Sequence, residues 1–133
     1  MLPAPAGRAD PVDSGSAVVD FVLVSALVSV LFVAVLQVGL TLHIRNTLIS
    51  CASEGARLGA REGSSPGVGA ARTRELITQS LSPRFAEDVS AEVSVDDGVR
   101  VVVVQVRAPL PVLGPFGPGD GLELVGRAFL EVQ

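Results

Sequence analysis

Phe21 to Ile44 reads FVLVSALVSVLFVAVLQVGLTLHI, 24 residues between Asp20 and Arg45 that carry no formally charged side chain, with His43 the one titratable group. As a helix rising ~1.5 Å per residue this stretch spans about 36 Å, against roughly 30 Å for the hydrocarbon core of a bilayer. Thirteen of the positions from Phe21 to Val38 are Val, Leu or Phe, and each favours insertion near the bilayer centre by ~0.3 to 0.6 kcal/mol. Ser25 and Ser29 do not cancel that sum. The β-branched content would also suit a buried strand, but strands run about 4 to 8 residues and no turn signal interrupts this one. The segment is expected to be a transmembrane or membrane-inserting helix, and the fold is expected to be organised around it.

Composition narrows the rest. The chain has 133 residues, 48% hydrophobic and 18% charged, with mean hydropathy +0.52. That is enough for one small domain and too apolar for a disordered tail. Ten Arg and no Lys stand against fourteen acids, a net charge of −4 with pI near 4.8. No phosphate-binding surface is implied, and nucleic acid is not an expected partner. One Cys and one His exclude a metal cage and an intramolecular disulfide. The acids are scattered, no G-x-S-x-G or Gly-rich phosphate loop occurs, and Gly114-Pro115-Phe116-Gly117 reads as a turn cluster. His43 has no companion ligand and reads as an interfacial polar residue. No active site, metal or cofactor is expected, and the chain is expected not to be an enzyme.

Upstream, residues 1–15 (MLPAPAGRADPVDSG) hold Arg8 against Asp10 and Asp13, with three prolines, a poor start for a secretory signal. No A-x-A cleavage site follows the apolar run. Leu48-Ile49-Ser50-Cys51 fits the pattern that precedes a lipidated cysteine, but Arg45 and Asn46 separate it from the apolar run. Cys51 is expected to be a small buried packing residue.

Downstream, helical spacing continues from Thr41 to Glu62, with Ala52, Ala56 and Ala60 on one line and Gly55 and Gly59 beside them. Such a face admits a close neighbour, either another part of the same domain or another subunit. Arg57, Arg61, Glu54 and Glu62 keep the other side solvated, and Gly63 with Ser64-Ser65-Pro66-Gly67 supplies a stop. A helix over residues 16–62 would be about 70 Å long, with Gly39 a candidate bend. Ala70 to Ser82 predicts a short second helix with Leu76, Ile77 and Leu81 inward, ended by Pro83.

The period then changes to two. Val89, Ala91, Val93 and Val95 alternate with polar residues, Asp96-Asp97-Gly98 makes a hairpin turn, and Val99 to Arg107 returns as a strand. Pro109 to Gly121 is too rich in Pro and Gly for regular structure, and Leu122 to Val132 predicts a third strand. The expected fold class is α+β: a long N-terminal transmembrane helix, a short second helix and a small three-stranded antiparallel sheet. Its divisions are a leader over 1–15, a helix over 16–62 spanning the membrane at 21–44, and a head over 63–133. This head has no covalent staple and needs the upper half of the long helix to cover one face of its sheet.

Asp20 lies at the boundary of the apolar run, where an ionised group is costly unless partnered. Gly15-Ser16-Ala17-Val18-Val19-Asp20-Phe21 places it five positions after a glycine that ends a polar leader. This resembles the processing site of type IV prepilins, where a membrane peptidase cuts after the glycine. The resemblance implies cleavage between Gly15 and Ser16 and makes Asp20 an assembly carboxylate. A new α-amino group on Ser16 is a cation in the lipid interface, which Asp20 of a neighbouring subunit can neutralise. Arg45-Asn46 and Ala52-Ser53-Glu54-Gly55-Ala56-Arg57 further resemble the TadE-like pseudopilins of tight-adherence (Tad/Flp) pili. The later hairpin, Pro109-Leu110-Pro111 and the final strand are similar as well.

The family resemblance implies a membrane-inserted pseudopilin or minor pilin, single-pass in a bacterial cytoplasmic membrane with its head outside. Its implied partners are a prepilin peptidase, other pilins or pseudopilins, the Tad machinery and membrane lipid. Phe21, Ala52, Gly55, Ala56 and Gly59 become its helix-packing residues. Two features depart from the family: Asp20 stands where Glu is usual, and the leader is poor in basic residues. Arg45, Arg57 and Arg61 follow the span, so charge counting alone would put the head in the cytoplasm. The alternatives are an uncleaved single-pass envelope protein whose head binds a partner, or a sensing or inhibitory subunit beside an enzyme.

Overall fold

A computed structural model describes residues 1–4, 7, 11–110 and 121–131, with the side chains of 11–13 excepted. The fold is α+β, with one long helix α1 (Pro11–Ala60), a second helix α2 (Pro66–Ser80), a 3-10 turn (Pro83–Ala86) and strands β1 (Asp88–Asp96), β2 (Val99–Ala108) and β3 (Leu122–Phe129). It divides into two compact units, Met1–Leu36 and Gln37–Gln133. The turn at Gly114 to Gly117 and most of the Pro-rich loop lie outside the described residues.

The first unit is the beginning of α1. The helix starts at Pro11, five residues before Ser16, because proline suits the first helical turn, where its missing N–H costs no hydrogen bond. In this unit Phe21 is 73% exposed and Val30 and Leu27 are each 68% exposed. An 18-residue window of the helix has mean hydropathy 2.7 and 0% burial. Apolar side chains left uncovered over such a length need lipid or other helices around them. The Ser29 hydroxyl donates to the Ser25 carbonyl at 2.8 Å, so that polar group is satisfied within the helix.

The second unit opens with the rest of α1, which continues through Gly39 as α-helix and ends at Ala60 rather than Glu62. Gly63, at φ +74°, then turns the chain in the left-handed region that glycine enters without a Cβ clash. Ser64-Ser65-Pro66-Gly67 is a start as well as a stop. The Ser65 side chain accepts from the Val68 N–H at 3.4 Å and Pro66 occupies the first turn, so α2 begins four residues before Ala70. Cap and proline together outweigh the poor helix propensity of Gly67 and Gly69. Pro83, expected only to end α2, opens the 3-10 turn that buries Phe85 and Ala86.

The sheet is a meander in the order β1-β2-β3, antiparallel throughout. Asp97 (φ 49°) and Gly98 (φ 80°) both lie in the left-handed region, as a two-residue hairpin loop between the paired Asp96 and Val99 requires. Val102, Val104 and Val106 of β2 are each 0% exposed and join Ile44, Leu48, Ala52, Ala56 and Ala60 of α1, Ile77 of α2 and Leu124 of β3 in one core. The upper part of α1 covers the sheet face, as the small size of the head demanded. The alternation of β1 holds only at its start: Val89 is buried, but Val93 is 40% and Val95 67% exposed. The hairpin tip outruns the helices that cover the sheet. β3 ends at Phe129, and the Glu131 N–H then donates to the Ala60 carbonyl at 3.1 Å, tying the chain to the end of α1.

Two glycines set the spacing of these layers. A Cβ on Gly126 of β3 would sit 2.6 Å from the Ser53 N and closer still to the Ala52 carbonyl carbon, and one on Gly69 of α2 would sit 2.6 Å from the Gly55 carbonyl oxygen. Backbone meets backbone at both places, so neither neighbour can yield by rotating a side chain. At Gly39, by contrast, a Cβ would meet nothing within 4 Å. We therefore expect Gly126→Ala to destabilise the head by about 2 kcal/mol while Gly39→Ala melts no lower than the parent. Thermal unfolding of the detergent-solubilised full chain, followed by circular dichroism, measures both.

Candidate functional site

Gly15, Ser16, Asp20 and Phe21 all lie on the first two to three turns of α1, and all four are exposed. Ser16 and Asp20 are four residues apart and therefore share a helix face. The bond between Gly15 and Ser16 is thus inside the helix, not at its beginning. Helical bonding starts only beyond the first four N–H groups, so opening the chain around Gly15 breaks few hydrogen bonds, at about 1 kcal/mol each.

The fold does not explain the glycine at position 15. Its φ lies outside the left-handed region, and a Cβ there would meet nothing within 4 Å. The same is true of Gly39, which lies within the span and is not followed by an acid at the corresponding distance. Asp20 makes no ion pair or side-chain hydrogen bond among the described residues.

The small-residue face is placed differently from the leader end. Gly55 and Gly59 lie against Gly69 of α2, and Ala52 lies against Gly126 of β3. Ala52 and Ala56 are each 0% exposed. The chain's own head occupies this face, while the exposed Phe21 remains uncovered. Thr73, buried at the same crossing, donates its hydroxyl to the Gly69 carbonyl at 2.9 Å and so leaves no polar group unsatisfied there. Sequence reading singled out neither Gly69, Thr73 nor Gly126. A glycine in the interior of a strand pattern, as in Leu-Val-Gly126-Arg, is the available signal for close backbone approach. His43 is exposed, and among the described residues no three of His, Cys, Asp and Glu converge on one point.

Comparison with known proteins bears on the leader end and the helix. Residues 15–57 match the family model described as TadE-like protein. Over these residues the chain is similar to the TadE-like family. The matched TadE-like segment begins at the glycine, includes Asp20 and the whole apolar run, and ends at Arg57, inside α1. It contains the Ala52 to Arg57 stretch but not α2 or the sheet. No curated protein and no solved structure matches the chain.

Cys51 is 6% exposed, inside α1 and close to Ser80 of α2. Burial pushes its thiol up from the ordinary value, with a hydrogen bond to Ser80 acting in the opposite direction. The thiolate, which is the reactive form, is correspondingly scarce near neutral pH. A lipid on this sulfur would require α1 and α2 to part. Maleimide labelling of the folded protein at pH 7 to about 8 is expected to be slow and to become rapid on denaturation. Fast labelling of native protein would show an accessible cysteine.

Proposed function

We propose that this protein is a membrane-inserted pseudopilin or minor pilin, cut by a prepilin peptidase between Gly15 and Ser16 and then assembled with related subunits into a Tad/Flp-type pilus. The observation that carries this reading is the TadE-like match over 15–57, which starts at the glycine and includes Asp20 five residues on, an acid with no ion pair among the described residues. Its role is structural and not catalytic. Cleavage removes Arg8, Asp10 and Asp13, leaving 9 basic and 12 acidic side chains. The new amino terminus on Ser16 lies at a helix start, where its positive charge opposes the macrodipole and calls for a carboxylate nearby. Asp20 of an adjacent subunit answers that demand, and the exposed apolar surface from Phe21 onward exchanges lipid for neighbouring helices as the filament forms.

In this reading the leader is cytoplasmic and the head extracytoplasmic. The arginines beyond the span favour the opposite orientation when counted alone, but Arg57 belongs to the folded end of α1 and serves its C-terminal dipole. The reading puts the finished subunit in the cytoplasmic membrane and, after assembly, in a surface filament. The alternative is a single-pass envelope protein that is never cut and whose head binds a partner.

Gly15→Ala separates the two. The pilin reading expects an uncleaved chain and loss of filament incorporation, measured by intact mass and by immunoblot of sheared surface filaments. Normal assembly of that variant would sink it. Asp20→Asn is expected to leave membrane insertion unchanged and to lower incorporation by roughly a hundred-fold or more, since removing one partner of a desolvated charge pair costs about 3 to 5 kcal/mol. Unchanged incorporation would remove the charge-pairing role.

A further inference from the structure

The end of α1 and the adjoining part of β3 border an open cleft of about 480 Å³, where Arg57, Arg61 and Arg127 meet beside Phe129, with Glu131 the one carboxylate on the wall among the described residues. Arg57 and Arg61 are exposed, and neither has an ion pair among the described residues. Arg127 reaches Asp96 at 3.3 Å through an exposed contact. The cleft is therefore cationic in a chain whose net charge is −4. A concave surface of one sign concentrates the field at its mouth.

The opposite edge of the same sheet has the opposite sign. Strand β1 carries Glu92 and Asp96, the turn adds Asp97, and Glu87 and Asp88 stand at the start of the strand. All five are exposed, and of them Asp96 alone has an ion pair among the described residues. β1 and β3 are the two outer strands of the sheet. On β3, Phe129 is 72% exposed and Val125 40%, an apolar surface beside the arginines.

We propose that the arginine cleft receives the acidic β1 edge of a second copy of this chain, with Glu92 and Asp97 of one copy meeting Arg57 and Arg61 of the next. The two patches are different surfaces of one head, so the contact is heterologous and repeats from copy to copy. With a span that ends at Ile44, the cleft lies beyond the lipid headgroups. Arg57 and Arg61 follow Ile44 by about 20 and 26 Å along the helix, whereas the headgroup layer adds only about 5 to 8 Å to each side of the hydrocarbon. The contact requires neither leader cleavage nor Asp20.

The test is disulfide cross-linking of full-length protein in membranes of its own host, with the buried Cys51 left in place. Two differently tagged chains, one carrying Arg61→Cys and the other Asp97→Cys, are co-expressed and mildly oxidised. Mixed-tag dimers are expected, and a chain carrying both substitutions is expected to give a ladder of higher species. Adding Arg57→Glu should reduce the yield by about five-fold, the scale of exposed ion pairs, and adding Glu92→Arg to the partner chain should restore it. Raising the salt from about 0.1 M to 1 M should lower it as well, because the screening length falls from about 10 to 3 Å. Absence of mixed-tag dimers, a yield indifferent to Arg57→Glu, or a product whose mass includes a different protein would each overturn the proposal. The N-terminus of the same sample reports leader cleavage separately.

Discussion

Strand β3 lies against α1 backbone to backbone, and the missing side chain of Gly126 makes that possible. With the Ala52 carbonyl and the Ser53 N this close to where a Cβ would be, the sheet meets the helix at the separation that lets small alanines fill the interface. Ala52, Ala56 and Ala60 then bury almost completely against valines of β2. A sheet of three short strands has too little apolar surface to stand alone, and the helix supplies its second layer. The same arrangement is repeated at the other glycine contact, where Gly69 brings α2 onto Gly55 and Thr73 satisfies its hydroxyl within the crossing.

One helix therefore answers to two solvents. In the first unit its large apolar side chains are exposed and of a kind that lipid or packed helices accept. In the second its core-facing residues are mostly small, and the apolar surface they contact belongs to the sheet. The change in side-chain size follows from this: lipid fits around any apolar shape, whereas a strand laid on a helix requires a low, even surface. A glycine at position 15 has no such role, since neither its φ nor its surroundings demand one. That separates it physically from Gly69 and Gly126, and it is where the TadE-like match begins.

The charged side chains add little to the stability of the head. The ion pairs Arg72–Glu75, Arg107–Glu123 and Arg127–Asp96 are all solvent-exposed, and such pairs contribute about 0 to 1 kcal/mol each. Arg74 differs. Its guanidinium donates to the Val89 carbonyl at 2.6 Å and joins α2 to the first strand. Arg57 and Arg61 at the end of α1 and Glu92 and Asp97 at the β1 hairpin are exposed, a distribution that matters for what approaches the head more than for how it folds.

The sequence by itself determined the elements whose signals are local. An uncharged run of 24 residues implies a helix able to span a bilayer, and alternating valines around Asp96-Asp97-Gly98 imply a hairpin, because hydrophobic period and turn chemistry act over a few neighbouring residues. Boundaries were less legible: Pro11 and the Ser65 cap start their helices earlier than the apolar pattern does, since capping precedes burial. What the small-residue face packs against was left open between two partners, and only the tertiary structure decided it. Gly69 and Gly126 are distant in sequence from Gly55 and Ala52, and the helical period of small residues marks a close approach without marking which distant segment makes it. Tertiary structure likewise decided that Val93 and Val95 stay exposed, because the extent of the helical cover, not the alternation of the strand, sets where the core ends.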